Sequence, residues 1–222
     1  MQPGEQQLQL GSPVGALDGI WLAPEGAVAQ MVFAHGAGAG YQHATMQGLA
    51  QAFANAGLAT LRFNFPFMQQ GKRRVDSKDV AVASIVTAAD YARSLSDLPL
   101  LLSGHSFGGR MCTHAVVQAE IDCVALVLCS FPLHPLKKPG IERAAHLRGI
   151  EQPMLFLSGT RDDLATADLL QGVVSGLNED SRIHWLETAN HSYTILKRTR
   201  TSETPVFTEM AQQARTFVDE LI

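Results

Sequence analysis

Apolar positions along this chain fall into two alternating rhythms. Through Trp21 and Leu22 the start reads as a loose β-hairpin, with Gly15, Asp18 and Gly19 marking turns. Short unbroken apolar runs follow, bounded by Gly, Pro or Asn: Ala29 to Ala34, Leu58 to Phe65, Leu100 to Ser103, Val124 to Leu128 and Met154 to Leu157. A less regular one spans Arg182 to Leu186. Runs this short and this apolar suit parallel strands covered on both faces. Between them the spacing turns helical. His43 to Ala56 repeats Met46, Leu49, Ala50 and Phe53, and Asp76 to Leu95 repeats Val80, Ala83, Ser84, Val86 and Ala88. A third helix is predicted from Ser106, with Phe107, Met111, Ala115 and Ala119 on one face. A last one has Thr204 as N-cap, Pro205 at the first helical position, then Val206, Met210, Ala214, Phe217 and Leu221. Strand–helix–strand alternation predicts an α/β fold with a mostly parallel sheet and helices on both faces. Functional residues are then expected just after the strands, at their carboxyl ends.

Composition narrows the class. The chain has 222 residues, 46% apolar and 17% charged, enough for one self-sufficient core, so a single domain over residues 1–222 is expected. Its longest apolar run, Cys123 to Cys129, falls far short of the roughly 20 residues a bilayer helix needs. The start, Met1-Gln2-Pro3-Gly4-Glu5, has no secretory pattern, and Cys112, Cys123 and Cys129 read as reduced core residues. A cytoplasmic location is the expectation. The formal charge of −4 argues against a nucleic-acid partner. No Cys, His and carboxylate cluster has zinc-like spacing, so neither a metal nor another cofactor is implied.

Three strand ends hold candidate chemistry. In Ser103-Gly104-His105-Ser106-Phe107-Gly108-Gly109-Arg110 a Gly-x-Ser-x-Gly pattern sits between a strand and a helix. Small residues on either side of Ser106 allow a strained turn that exposes the hydroxyl at a helix N-terminus. The plain alternative is an ordinary N-cap Ser on a glycine-rich turn. A serine nucleophile needs a base, and the base an orienting acid. Only His184 and His191 follow the Asp162-Asp163 pair, and His184 lies within a predicted strand. His191 is therefore the candidate base. Asp162, the first carboxylate after its turn, is the candidate acid, while Asp163 is placed to cap the next helix. The segment His35-Gly36-Ala37-Gly38-Ala39-Gly40 suits an oxyanion hole, with the backbone N–H groups of Ala37 and Phe107 as donors and His35 ordering the loop. It does not have the spacing of a dinucleotide loop.

At this point the chain resembles an α/β-hydrolase, of the small cap-less kind akin to dienelactone-hydrolase-like proteins. It is most similar to a bacterial branch of predicted hydrolases, to which a subunit of a eukaryotic chromatin-modifying complex is also related. The segments that carry the likeness are Phe33 to Gly38, Arg62 to Pro66, Gly104 to Arg110, Phe131 to Pro135 and Gly159 to Asp162. The resemblance implies the fold and the Ser–Asp–His set, and says nothing about substrate. Members often have Pro after the acid where this chain has Asp163, so the choice between Asp162 and Asp163 stays open.

Tyr41, Phe65, Phe67, Met68, Phe131 and Leu133 follow strand ends and are candidates for a substrate pocket, with core packing as the alternative. Lys72-Arg73-Arg74 reads as solvated surface, and Arg110 and Arg161 as partners of carboxylates. The short chain between Leu128 and Met154 leaves no room for a cap domain. These residues together predict a serine hydrolase acting on a small ester or thioester, with a small-molecule acyl substrate as its partner. Acyl transfer or perhydrolysis by the same residues is one alternative. A non-catalytic interaction module is another, since fold alone does not fix function. Nothing in the sequence speaks to oligomeric state.

Overall fold

In the computed structural model, which describes residues 4–222, an antiparallel hairpin opens the chain. Its strands are β1 (Glu5–Leu10) and β2 (Leu17–Leu22), with Leu10 opposite Leu17. The strands β3 (Ala29–Ala34), β4 (Leu58–Phe63), β5 (Leu100–His105), β6 (Ala125–Cys129), β7 (Met154–Gly159) and β8 (Arg182–Leu186) complete one sheet. Its order is β1-β2-β4-β3-β5-β6-β7-β8, parallel from β4 to β8 and antiparallel where β2 joins β4. β3 to β6 are buried almost throughout, which is why they read as continuous apolar runs.

Side chains alternate between the faces, so the inner strands feed two cores. From β6, Ala125, Val127 and Cys129 face the helices α1 (Ala44–Asn55) and α6 (Val206–Asp219). Leu126 and Leu128 face the other layer. That layer holds α3 (Lys78–Leu95), α4 (Phe107–Ala119), α5 (Ala167–Val174) and a 3₁₀ helix at Glu142–Gly149; the one-turn α2 (Pro66–Gln69) closes its upper end. No helix among the described residues is long and apolar enough to cross a membrane. All three cysteines are buried and unpaired.

Several boundaries depart from the sequence expectation. Asp18 and Gly19 lie inside β2 and do not turn the chain. A Cβ on Gly19 would stand 2.9 Å from Leu10 Cδ1 and 3.0 Å from the Arg62 carbonyl oxygen, so close packing explains this glycine. Ala119 faces solvent at the end of α4. Pro205, with an extended ψ of 137°, occupies the cap position of α6, one residue later than expected for a cap at Thr204. Asp163 does not cap α5, whose cap position is Thr166. The intervening turn is held instead by Asp162, whose carboxylate accepts from the Leu164 N–H at 2.8 Å. The sequence also gave no sign of Arg62, a fully buried cation that pairs with Glu5 and donates from Nη1 to the Tyr41 carbonyl at 3.1 Å. A charge this deep is tolerable only when paired and hydrogen-bonded.

Candidate active site

Ser106 sits at the tip of β5, where the chain reverses into α4 with φ 52° and ψ −113°. An L-residue rarely occupies this part of backbone space, and holding one there costs of order 1–3 kcal/mol. The reversal is enforced by glycine. A Cβ on Gly104 would lie 2.5 Å from Gly109 N, and one on Gly108 would lie 2.3 Å from the Ala34 carbonyl oxygen. Only bare backbone lets the end of β3, the elbow and the first turn of α4 pack this closely. The Ser106 N–H donates to the Cys129 carbonyl at 2.9 Å, tying the elbow to β6 as well.

The Ser106 hydroxyl lies 2.8 Å from His191 Nε2. On the far side of that ring, His191 Nδ1 is 2.9 Å from Asp162 Oδ1 and 2.8 Å from Oδ2. With the oxygens of the fully buried Asp162 side chain as acceptors, Nδ1 is the donor and Nε2 is left to accept from the hydroxyl. Such a relay can take a proton from serine and hold the imidazolium that results. Asp163 is exposed and takes no part. The candidate acid and the candidate base are mounted back to back. A Cβ on Gly159 would be 2.2 Å from the Ala189 carbonyl oxygen, which also accepts from Arg161 N–H at 2.9 Å.

Two residues that sequence reading passed over shape this arrangement. Asn190 Oδ1 accepts from the N–H groups of Ser192 (3.0 Å) and Thr194 (2.9 Å), a side-chain turn that folds the loop around His191. The turn habit of Asn, immediately before the candidate base, was the available signal. His105 sits beside Ser106 and places Nε2 3.2 Å from the His191 carbonyl oxygen, so Nε2–H is the donor. Burial, with the neighbouring His191, pushes its pKa down to about 4, which keeps it neutral. Its signal was the motif itself, where it fills the first variable position.

The other expected site residues divide. Ala37 lines the cavity beside Ser106, and Phe107 opens α4, whose first N–H groups have no intrahelical acceptor. His35 is buried and neutral: Nδ1–H donates to the Gly36 carbonyl at 2.7 Å, and Nε2 accepts from Phe65 N–H at 3.0 Å. Burial lowers its pKa to about 4. It therefore orders the loop, as expected.

The expected substrate pocket is a correction. The cavity, about 430 Å³, is bounded by Gly36 to Ala39, His43, Thr45, Met46, His105, Leu164, His191 and Ser192. None of Tyr41, Phe65, Phe67, Met68, Phe131 and Leu133 borders it. Helix α2 folds Phe65 and Phe67 back under the loops, where they pack on His35 and Phe107 at ring separations of 5.0 to 6.0 Å. Phe131 packs edge-on to Phe156, Leu133 is fully buried, and the Tyr41 backbone is held by Asn64 and Arg62. Met68 packs against the core, next to Gly40. Strand-end position brought these side chains to the right level of the sheet, but the loops turned them inward. Arg161 is also a correction, donating to the Thr188 carbonyl at 3.2 Å and, among the described residues, to no carboxylate. Arg110 likewise meets no carboxylate among the described residues. Lys72, Arg73 and Arg74 are exposed, as expected. His184, set aside as strand-bound, is held by Glu209 at 2.8 Å.

Comparison with known structures places this architecture in company. The chain is similar over its whole length to the whole of a dienelactone hydrolase from Anabaena variabilis ATCC 29413, at 21% identity and a TM-score of 0.78. An α/β serine hydrolase without a lid, from Xanthomonas campestris, aligns with 99% of this chain and 96% of its own at 18% identity and a TM-score of 0.73. Est1E from Butyrivibrio proteoclasticus, with ferulic acid bound, gives 14% identity and a TM-score of 0.76 over 96% of this chain and 98% of its own. At these identities the likeness speaks for the fold. Sequence speaks for the family: the model described as alpha/beta hydrolase domain matches residues 27–219, from the start of the parallel strands to the end of the last helix, and the chain belongs to that family of hydrolases.

Proposed function

We propose that this hydrolase cleaves a small carboxylic ester or thioester through an acyl-enzyme formed on Ser106. One observation carries the reading: the continuous contact from Ser106 Oγ through His191 to Asp162, with each step between 2.8 and 2.9 Å. In the first half-reaction Ser106 Oγ attacks the carbonyl carbon while His191 Nε2 takes the hydroxyl proton. The negative charge that develops on the substrate oxygen is met by the backbone N–H groups of Ala37 and Phe107. His191 then returns the proton to the departing alcohol or thiol. In the second half, water gives a proton to His191 as it attacks the acyl carbon, and Ser106 recovers its hydrogen. Throughout, Asp162 accepts from Nδ1 and compensates the imidazolium. The modest cavity and its many small lining residues favour a short acyl group.

The test is covalent labelling of the purified chain with a fluorophosphonate, followed by assay on p-nitrophenyl esters. The expected result is one label per chain, on Ser106, with loss of both label and hydrolysis in Ser106→Ala. A folded Ser106→Ala variant that still hydrolyses esters at the parent rate would overturn the proposal.

A further inference from the structure

A second group of charges lies on the outer side of α4, away from the cavity at Ser106. Arg110 and His114 are four residues apart on this helix, hence on one face. Arg143 and His146 are three apart on the 3₁₀ helix, where residues at that spacing eclipse one another. The two helices are locked in register by their histidines. The rings of His114 and His146 stack with centroids 3.7 Å apart and planes within 14°. The Thr113 hydroxyl, which donates to the Arg110 carbonyl at 2.7 Å, lies 2.7 Å from His146 Nε2 and accepts from it. This register brings Arg143 within electrostatic reach of Arg110, and Lys78, at the first position of α3, lies near enough to act on both histidines.

All of these side chains are basic, and the acids nearest in sequence are turned elsewhere. Glu142 lies against Gly140, and Asp79 lines a separate groove with Val82 and Val86. Arg110 and Arg143 are half-buried, yet among the described residues neither guanidinium meets a carboxylate or a carbonyl. The crowding shows at Arg110 and at the two histidines. Burial and Arg143 hold Arg110 below its usual value. Burial, together with Arg110 and Lys78, presses His114 and His146 down to about 4. Gathering unpaired cations at a half-buried seam is unfavourable unless an anion joins them. This is otherwise an acidic protein, with a formal charge of −4.

We propose that the seam between α4, the 3₁₀ helix and the start of α3 is a binding site for a phosphate group, held by Arg110, Arg143 and Lys78. Guanidinium forks present paired N–H donors that match oxyanion geometry, and an ammonium adds a point charge. Three permanent cations can neutralise a dianion, which favours phosphate over a single carboxylate. The site stands apart from the ester chemistry, since none of these residues borders the cavity at Ser106.

The experiment is calorimetric titration of the full chain with inorganic phosphate at ionic strength fixed by chloride, with acetate as the monoanion control. Phosphate is expected to bind and acetate to bind much more weakly. Arg110→Gln and Arg143→Gln should each weaken phosphate by about tenfold or more, the usual order for losing a hydrogen bond to a charged group. Arg148→Gln removes the same charge from an exposed position on the same 3₁₀ helix and should leave affinity unchanged, as should Ser106→Ala. A parallel titration with a nucleoside monophosphate separates two sources of the group: tighter binding than inorganic phosphate marks a larger phosphorylated ligand, and equal or weaker binding marks free phosphate. No heat of phosphate binding, or equal loss in Arg148→Gln and Arg143→Gln, would overturn the site. Arg143 lies on the surface helix, so its variant is informative even if Arg110→Gln folds poorly.

Discussion

Both carboxylate oxygens of Asp162 lie within 2.9 Å of His191 Nδ1, whereas Asp163, one residue on, is exposed and caps nothing. The two neighbouring carboxylates should therefore respond very differently to the same change. Asp162→Asn is expected to cut kcat by about 10⁴, the order seen when an amide replaces an orienting aspartate. Asp163→Asn should leave kcat unchanged and stability within about 0.5 kcal/mol, as for an ordinary surface substitution. Steady-state assays and urea melts of the two variants check this, and a large loss in Asp163→Asn would refute it.

The left-handed backbone at Ser106 predicts a trade between stability and chemistry. Ser106→Gly should be more stable than Ser106→Ala by about 1 kcal/mol, because relief of strain exceeds the extra entropy glycine carries into the unfolded state. Both variants should be inactive. Thermal melts of the pair, side by side, measure the difference directly, and equal midpoints would mean the turn is not strained.

His105 is expected to act as a positioning residue, through its bond to the His191 carbonyl. His105→Phe should keep the fold and lower kcat by about 10- to 100-fold, whereas His105→Gln, whose amide can still donate, should recover part of the loss. KM should change little in either. A drop confined to stability, with kcat intact in His105→Phe, would assign the residue to packing alone.

Acid should destabilise the fold before it titrates most carboxylates. His35 and His105 have an ordinary value of 6.5 and a folded value near 4, both lowered first of all by burial. The unfolded chain thus binds protons that the folded chain refuses. Their contribution to stability is complete above pH 6.5 and is lost as pH falls toward 4, at up to about 1.4 kcal/mol per pH unit for each residue. Unfolding free energies measured from pH 8 to 4 should be flat above 7 and slope downward below 6.5. In His35→Gln the slope should be shallower, whatever the variant's starting stability. An unchanged slope would show that His35 is already protonated in the folded state.

A lining rich in Gly36, Ala37, Gly38 and Ala39, with Met46 and Leu164 as its larger apolar members, bounds how much acyl chain can leave water. Each methylene contributes about 0.8 kcal/mol only while it is being buried. For p-nitrophenyl esters, kcat/KM should peak at roughly two to four carbons and not climb further, since the benefit ends where the wall ends. Steadily rising efficiency toward long chains would reveal an apolar groove beyond this cavity.

How far these features were readable from sequence depended on their range. Ala29 to Ala34 and Arg182 to Leu186 have the same ends as β3 and β8. The positions of Ser106, Asp162 and His191 after β5, β7 and β8 needed only the sheet's order to bring them together. What was lost had no local signature. The face a loop residue turns to depends on what lies beneath, so Phe65 and Phe67 looked like pocket walls although His35 and Phe107 had claimed them. Arg62 in a strand carries no hint that Glu5, far away in sequence, waits to neutralise it. The 3₁₀ helix was passed over because it is short and its sequence is largely polar.

The backbone contacts at Gly104, Gly108 and Gly159 have a consequence for how this protein can vary. They hold the turn at Ser106 against the end of β3, and the end of β7 against the loop of His191, without any side chain in between. A saturation scan should consequently show two kinds of position a few ångströms apart. At the three glycines every replacement inserts an atom where none fits, and tolerance should be close to nil. At Ala39, Thr45, Met46 and Leu164, which border the cavity without framing it, many replacements should survive and shift preference among acyl groups. Heritable change in this enzyme then has a narrow outlet: selectivity can drift freely while the reactive frame stays fixed.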